Sequence, residues 1–571
     1  MSRPTGVRLL AALALTLMAV GSVGCGSEDS PSNPTPTPSR DAGSTPVDSG
    51  VTEPDAGSVE TDAGVTPAAV TLQAWSELTL QFSPDASVAL PVQVLRQAPF
   101  AADVTLSVTD LPPHVSVASV LVPGTEATKT LTFTVDEFAA YGRFSVKLVA
   151  VGGSEQAELP LTLDIQHGRA ALDSSFGTGG VAVPDLGYPA VRINAMAAQP
   201  DGKWVLVGST GSTGLRDVLV ARLLADGTPD PDFGTKGAVA TDVCGGDDYV
   251  DAVTVLSDGR ILVAGGAIYG AGSCSGTKYQ GALFVRYTAT GALDTTFGGT
   301  GVRAFQISAG VATLHAVTVD SQGRVVGAGT VQNNDLDLLV MRLTATGAQD
   351  TTFSADGLAW LDLGDDEDGL GVVTQADDEV VVAGTSTGST NLLALVRFNI
   401  DGTKDTGFSY STGFAYPKMT PRTLHLLPDG NLLVGSRGVF DSGGTESAAT
   451  LLRVTSTGAP DTTFATTTGI RSYSAVTNLA KDALVGTAIL PGGEFAITTW
   501  SKDAAGVSGV GVIHVSADGK TVLRQHRTDL PGEERPVCAA LGADGVLGVA
   551  GMRKESGQSA ETPFVTRFWP Y

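Results

Sequence analysis

An aspartate followed three residues later by a phenylalanine returns six times along this chain, at a spacing of roughly sixty residues. The segments are LDSSF (Leu172 to Phe176), PDPDF (Pro229 to Phe233), LDTTF (Leu293 to Phe297), QDTTF (Gln349 to Phe353), KDTGF (Lys404 to Phe408) and PDTTF (Pro460 to Phe464). Self-similarity at that period requires an array of like supersecondary units, none of which buries its apolar face alone. The recurring phenylalanine is then a core residue.

The plan of a unit is clearest in the first. A strand GVAVPDL is followed by AMAAQ, a turn at Pro200-Asp201-Gly202, KWVLVGS, DVLVARL and a second turn at Ala225-Asp226-Gly227. Asp-Gly between two apolar runs predicts a tight hairpin with a type I′ turn. Matching turns stand at Asp258-Gly259, Gln322-Gly323, Asp429-Gly430, Gly492-Gly493 and Asp544-Gly545, with Asp377-Asp378 in the fourth unit. The count is seven units of four strands over residues 171–571. The LDxxFGxxG opening, the DGKxxxxG hairpin and the AR strand resemble the delta-60 repeat of exported bacterial proteins. That resemblance implies a propeller-like array and no particular chemistry.

A register of charges selects a closed ring. In five units an arginine precedes the repeat aspartate by eight residues: Arg222 and Asp230, Arg286 and Asp294, Arg342 and Asp350, Arg397 and Asp405, Arg453 and Asp461. The sixth unit has His514 and Val522 at these places, so both partners are lost together. Arg567 has no aspartate after it and Asp173 no arginine before it, and a ring that joins last unit to first pairs them. Closure also protects the sheet edges. These twelve residues read as structural, blade-to-blade pairs, because a group repeated in every unit belongs to the architecture.

Ahead of the array lie three other segments. Residues 1–25 carry Arg3 and Arg8, an apolar run from Leu9 to Val20 and GSVGC ending at Cys25, which reads as an export signal and not a spanning helix. It resembles a bacterial lipoprotein signal, with Ser22 where leucine is usual, and that resemblance implies lipidation of Cys25. Residues 26–68 are rich in Pro, Ser, Thr, Asp and Gly and have almost nothing to bury, so they form a solvated tether. Residues 69–168 hold some seven short alternating runs, such as LTFTV (Leu131 to Val135), at the spacing of antiparallel sandwich strands. They resemble the immunoglobulin-like modules of exported bacterial proteins. The expected fold is therefore all-β: an N-terminal immunoglobulin-like sandwich followed by a seven-bladed β-propeller.

The net charge of −25, with no cluster of Lys and Arg, argues against nucleic acid as partner. Six scattered histidines include no pair at metal-ligand spacing, and no cofactor or metal site is expected. The acidic run Asp365 to Asp368 offers oxygen ligands but matches no calcium loop of known spacing and reads as a solvated turn. One set of equivalent positions breaks the repeat: Asn194, Asp251, His315, Leu370, Arg422, Val485 and Val537. Equivalent positions in a propeller lie on one circle, so Asn194, Asp251, His315 and Arg422 are the candidate ligand-face residues. Cys244 and Cys274 flank the second hairpin almost symmetrically and are expected to form a disulfide, whereas Cys538 lies in an apolar strand run. The expected protein is a monomer held at the outer membrane or surface of a Gram-negative-type bacterium by its lipid anchor. It presents a rigid face to an extracellular glycan or protein; a glycan hydrolase or lyase and a structural envelope protein are the alternatives.

Overall fold

A computed structural model describes residues 69–569 apart from 82–86, 136–141, 167–171, 271–277, 308–309, 388–390, 409–418, 440–446, 467, 475–480, 503–506, 530–532 and 555–559. The signal with Cys25, the tether and Cys274 lie outside the described residues. The chain divides into two compact units between residues 168 and 169.

The first unit consists of two sheets, one of four strands and one of five. Alternation sets its core: Thr128–Val135 points Leu131, Phe133 and Val135 inward and its threonines outward. Leu90, Val92 and Val94 cover the same sheet, and Leu106, Leu148, Leu161 and Leu163 cover the other. Nine strands form where the alternating runs predicted about seven, because Val115–Val117 and Val120–Val122 are only three residues each. The pairing is antiparallel except that Glu77–Gln81 runs parallel to Thr162–Gln166.

The second unit holds seven sheets in chain order, six of four strands and one, the fourth, of three among the described residues. Sheet one is Arg192–Ala198, Trp204–Thr210, Asp217–Leu223 and Ala238–Thr241, each strand antiparallel to the next. Its second strand is buried at every residue, as expected of a strand packed on both faces by neighbouring sheets. The first strands of the seven sheets touch one another in sequence, and that of the seventh, Glu533–Leu541, touches that of the first. They make a closed inner ring. The seventh sheet takes its outer strand from the other end of the unit: Val181 pairs with Thr566 and Ala182 with Val565.

The inner hairpin turns are not type I′. In Gln199 to Gly202 only Gly202 has positive φ (81°), Gly202 N–H donates to Gln199 at 3.0 Å, and Lys203 N–H donates to Asp201 Oδ1 at 3.3 Å. The aspartate side chain caps its own turn and keeps Asp201 in an ordinary conformation, leaving one left-handed residue for glycine. Asp378 takes that place in the fourth unit, with φ 62°.

Candidate functional site

Each of the seven inner strands carries one β-bulge, and the bulged residues are Asn194, Asp251, His315, Leu370, Arg422, Val485 and Val537. A bulge inserts an unpaired residue and re-aims its side chain, so one residue per strand is set apart from the ladder around the inner ring. The polar members are linked. Asn194 Nδ2 donates to Asp251 Oδ1 at 2.9 Å and to the Val250 carbonyl at 3.0 Å. His315 Nδ1 lies 3.1 Å from Asp251 Oδ2, and its Nε2 lies 3.5 Å from Asp368 Oδ1. Burial works against the imidazolium, but the hydrogen bond to Asp251 and the charges of Asp368 and Asp251 outweigh it and raise the His315 pKa. Burial likewise raises Asp368, with the charge of His315 opposing.

The arc continues in two arginines. Arg422 and Arg437 each bury an Nε with no hydrogen-bond partner. Burial draws Arg422 below its usual range, with Asp368 opposing, and draws Arg437 down to about 10, with Arg422 adding to the effect. Leu370, Val485 and Val537 make the rest of the circle apolar. Asp368 and Arg437 were not singled out by the repeat. Asp368 stands two residues before its bulge, as Tyr249 and Thr313 stand before theirs, and Tyr249 Oη lies 3.2 Å from Thr313 Oγ1. Period-two alternation puts such residues on the same side as the bulge, and counting two places back would have found this second tier. The acidic run is divided by the same alternation: Asp365 and Asp366 are exposed, Glu367 is buried and Asp368 joins the arc.

The repeated acids and arginines form a different assembly. Arg222 Nε donates to Asp230 Oδ2 at 2.8 Å, Arg286 to Asp294 at 2.7 Å, Arg342 to Asp350 at 2.8 Å, Arg397 to Asp405 at 2.9 Å and Arg453 to Asp461 at 2.6 Å. Arg567 Nε donates to Asp173 Oδ2 at 2.6 Å across the join of the ring. Each arginine lies over the phenylalanine of the same motif, from Phe233 to Phe464, and Arg567 lies over Phe176. Five of the six pairs lie within one sheet's third strand and the connection after it. The contact between sheets is made by a further arginine nitrogen, which donates to a turn carbonyl of the next unit: Arg286 to Ala345, Arg397 to Ser456, Arg453 to Ala517, Arg567 to Ala225 and Arg222 to Ala289. Arg342 is the exception, with Nη1 buried and unbonded. Its turn carries Ile400 where the others have Ala or Ser. The glycine of each such turn faces the preceding phenylalanine, so a Cβ on Gly347 would come within 2.9 Å of Phe297.

In the sixth unit His514 Nε2 meets Glu494 Oε2 at 2.6 Å, a local replacement for the missing pair. His425 is buried, with Nε2 2.8 Å from Thr487 Oγ1, and desolvation lowers its pKa to about 4. Cys538 is a buried thiol. Cys244 is disulfide-bonded; Cys274 lies outside the described residues.

All-β sheets around a closed inner ring define a β-propeller. In agreement, a family model described as a domain of unknown function (DUF5122) beta-propeller matches residues 199–233, 256–297, 323–353, 375–408 and 427–464. Every matched segment runs from an inner hairpin turn to the phenylalanine of a repeat motif, consistent with a propeller-repeat family. No curated protein matches the chain.

Proposed function

We propose that this chain is an exported, lipid-anchored binding protein whose seven-bladed propeller, carried by an immunoglobulin-like sandwich, holds an extracellular glycan with an acidic group on the inner-ring arc. The observation that carries the reading is the pair Arg422 and Arg437, whose buried Nε groups lack partners. A guanidinium whose Nε is left unbonded beside a chain of linked polar side chains is a site for a carboxylate or a similar anion. Asp251 and Asp368 add acceptors for hydroxyls, and the half-buried Leu370 and Val537 offer apolar surface to a sugar face.

The test is an array of acidic and neutral glycans and cell-wall fragments probed with the full chain. Acidic glycans should be retained, and Arg422→Ala and Asp251→Asn should each weaken retention at least tenfold. Equal binding by both variants would overturn the site. Attachment is tested separately by Cys25→Ser, which should move folded protein to the soluble fraction; retention on membranes after a salt wash would count against the anchor.

A second reading rests on His315, which lies between Asp251 and Asp368. Asp251 lies 3.1 Å from one ring nitrogen and Asp368 3.5 Å from the other, which makes them the two carboxyl groups of the arc that a paired acid and base would use. Release of reducing ends from a bound glycan, lost in Asp368→Asn with binding retained, would favour hydrolysis.

A further inference from the structure

Two junctions between sheets share a feature found at no other junction among the described residues. Where sheet one meets sheet two, Asp217 opens a third strand, Asp242 follows the fourth strand and Asp248 opens the next inner strand. Where sheet three meets sheet four, Asp337, Asp362 and Glu367 occupy the same three places. Asp217 and Asp337 each precede the repeat arginine by five residues, and Asp248 and Glu367 each precede the bulge by three. In both triads one carboxylate oxygen per residue lies within 4.8 Å of the others.

Burial adds an independent observation. Asp248 is 0% and Asp337 1% exposed, and Oδ1 of each is buried with no hydrogen-bond partner. The other oxygens are engaged, Asp248 Oδ2 by Val243 N–H at 2.6 Å and Asp337 Oδ2 by Asn333 Nδ2 at 3.1 Å. A single unbonded oxygen therefore remains on Asp248 and on Asp337, each among two further carboxylates, whereas buried Glu367 accepts from Leu363 N–H, Asp365 N–H and Ser386 Oγ. No lysine, arginine or histidine among the described residues forms an ion pair with any of the six. No such triad forms at two other junctions: Gly281, Gln306 and Ala312 hold the three places at the second, and at the sixth Gly509 replaces the first acid and Asp529 pairs with Arg527, which leaves Glu534 as one buried acid near Arg553.

We propose that each of these two junctions binds one divalent cation of the calcium type, through Asp217, Asp242 and Asp248 at one and Asp337, Asp362 and Glu367 at the other. All six ligand atoms are hard oxygens, with no imidazole or thiolate, which selects calcium over zinc or copper. Each triad draws on two neighbouring sheets, so the cation ties one sheet to the next at the places where like charges otherwise repel.

The test is calorimetric titration of chelator-treated full chain with calcium chloride. The expected result is two equivalents at a dissociation constant of about 0.1 to 1 mM, as in extracellular calcium modules, together with a calcium-dependent rise in melting temperature. Asp242 and Asp362 are exposed, so Asp242→Asn and Asp362→Asn should fold normally and each delete one equivalent, and the double variant should bind none. No heat and no melting shift at about 10 mM calcium, or two equivalents retained by a folded double variant, overturns the proposal.

Discussion

Replacing Asp173 by alanine isolates the join of the ring. Asp173 is 0% exposed, and it accepts from Arg567 Nε at 2.6 Å, again from Arg567 Nη2, and from Ser175 N–H at 3.0 Å. Removing one partner of a buried ion pair leaves the other charge uncompensated and costs about 3 to 5 kcal/mol. Arg567 retains some solvent, with a side chain 13% exposed, which puts the expected loss near the lower figure. With an m-value of about 3 kcal/mol/M in urea, the unfolding midpoint should fall by about 1 M. Asp405→Ala is the internal comparison. Its pair with Arg397 is more open, at 17% and 15% side-chain exposure, and spans only eight residues where Asp173 and Arg567 span 394. The assay is urea unfolding followed by tryptophan fluorescence, with hydrogen exchange at Val181, Ala182, Val565 and Thr566 as local readout. Asp173→Ala should lose protection at those amides first, whereas Asp405→Ala should leave them protected. An unchanged midpoint with full protection at the join would refute the argument that this pair holds the ring shut.

Three other outcomes are expected. The His425 pKa of about 4 lies below its unfolded value of about 6.5, so the unfolded chain binds the extra proton; stability should be complete above pH 6.5 and fall as pH drops toward 4, and His425→Gln should flatten that slope in pH-dependent unfolding. Gly347→Ala forces a Cβ to within 2.9 Å of Phe297 at φ 84° and should lower stability by more than about 1 kcal/mol in the same urea assay; an unaffected variant would show that the turn does not bear on the phenylalanine. Peptide mapping of unreduced protein should link Cys244 to Cys274 and find Cys538 alkylated only after unfolding, since it is 0% exposed; a link between Cys538 and either loop cysteine would contradict this.

Much of the propeller is legible in the sequence because each unit repeats the same local chemistry: Asp-Gly turns, a buried second strand and Phe seated under Arg. The seven symmetry-breaking positions are recoverable by counting from the turn, since the distance from turn to bulge is fixed by the hairpin register. The bulge itself is not legible, because Asn194, Leu370 and Val537 share no residue type that marks one. The turn type is misread from Asp-Gly alone, because the aspartate carboxylate caps its own turn and competes with the mirror-image conformation. The triads at Asp217 and Asp337 escape a linear scan for a different reason. Their members are brought together by the fourth strand and the next sheet, and no spacing between neighbouring residues records that.

The outer strand Val181–Ala182 has a consequence for the order of assembly. Its partner Thr566 lies far downstream in the chain, and at about 5 to 20 residues per second the intervening stretch takes about 20 to 80 seconds to be synthesised. Throughout that interval, or during any passage that delivers the N-terminal end first, sheets one to six can form in turn while the seventh waits for its final strand. The nascent propeller therefore carries Val181–Ala182 unpaired until its complement, Glu561–Phe568, is made. A neighbouring chain whose Glu561–Phe568 is already made offers that edge to the waiting strand, so a long delay favours exchange of Val181–Ala182 between molecules, and crowding of chains at different stages is the condition under which the ring would close on the wrong partner.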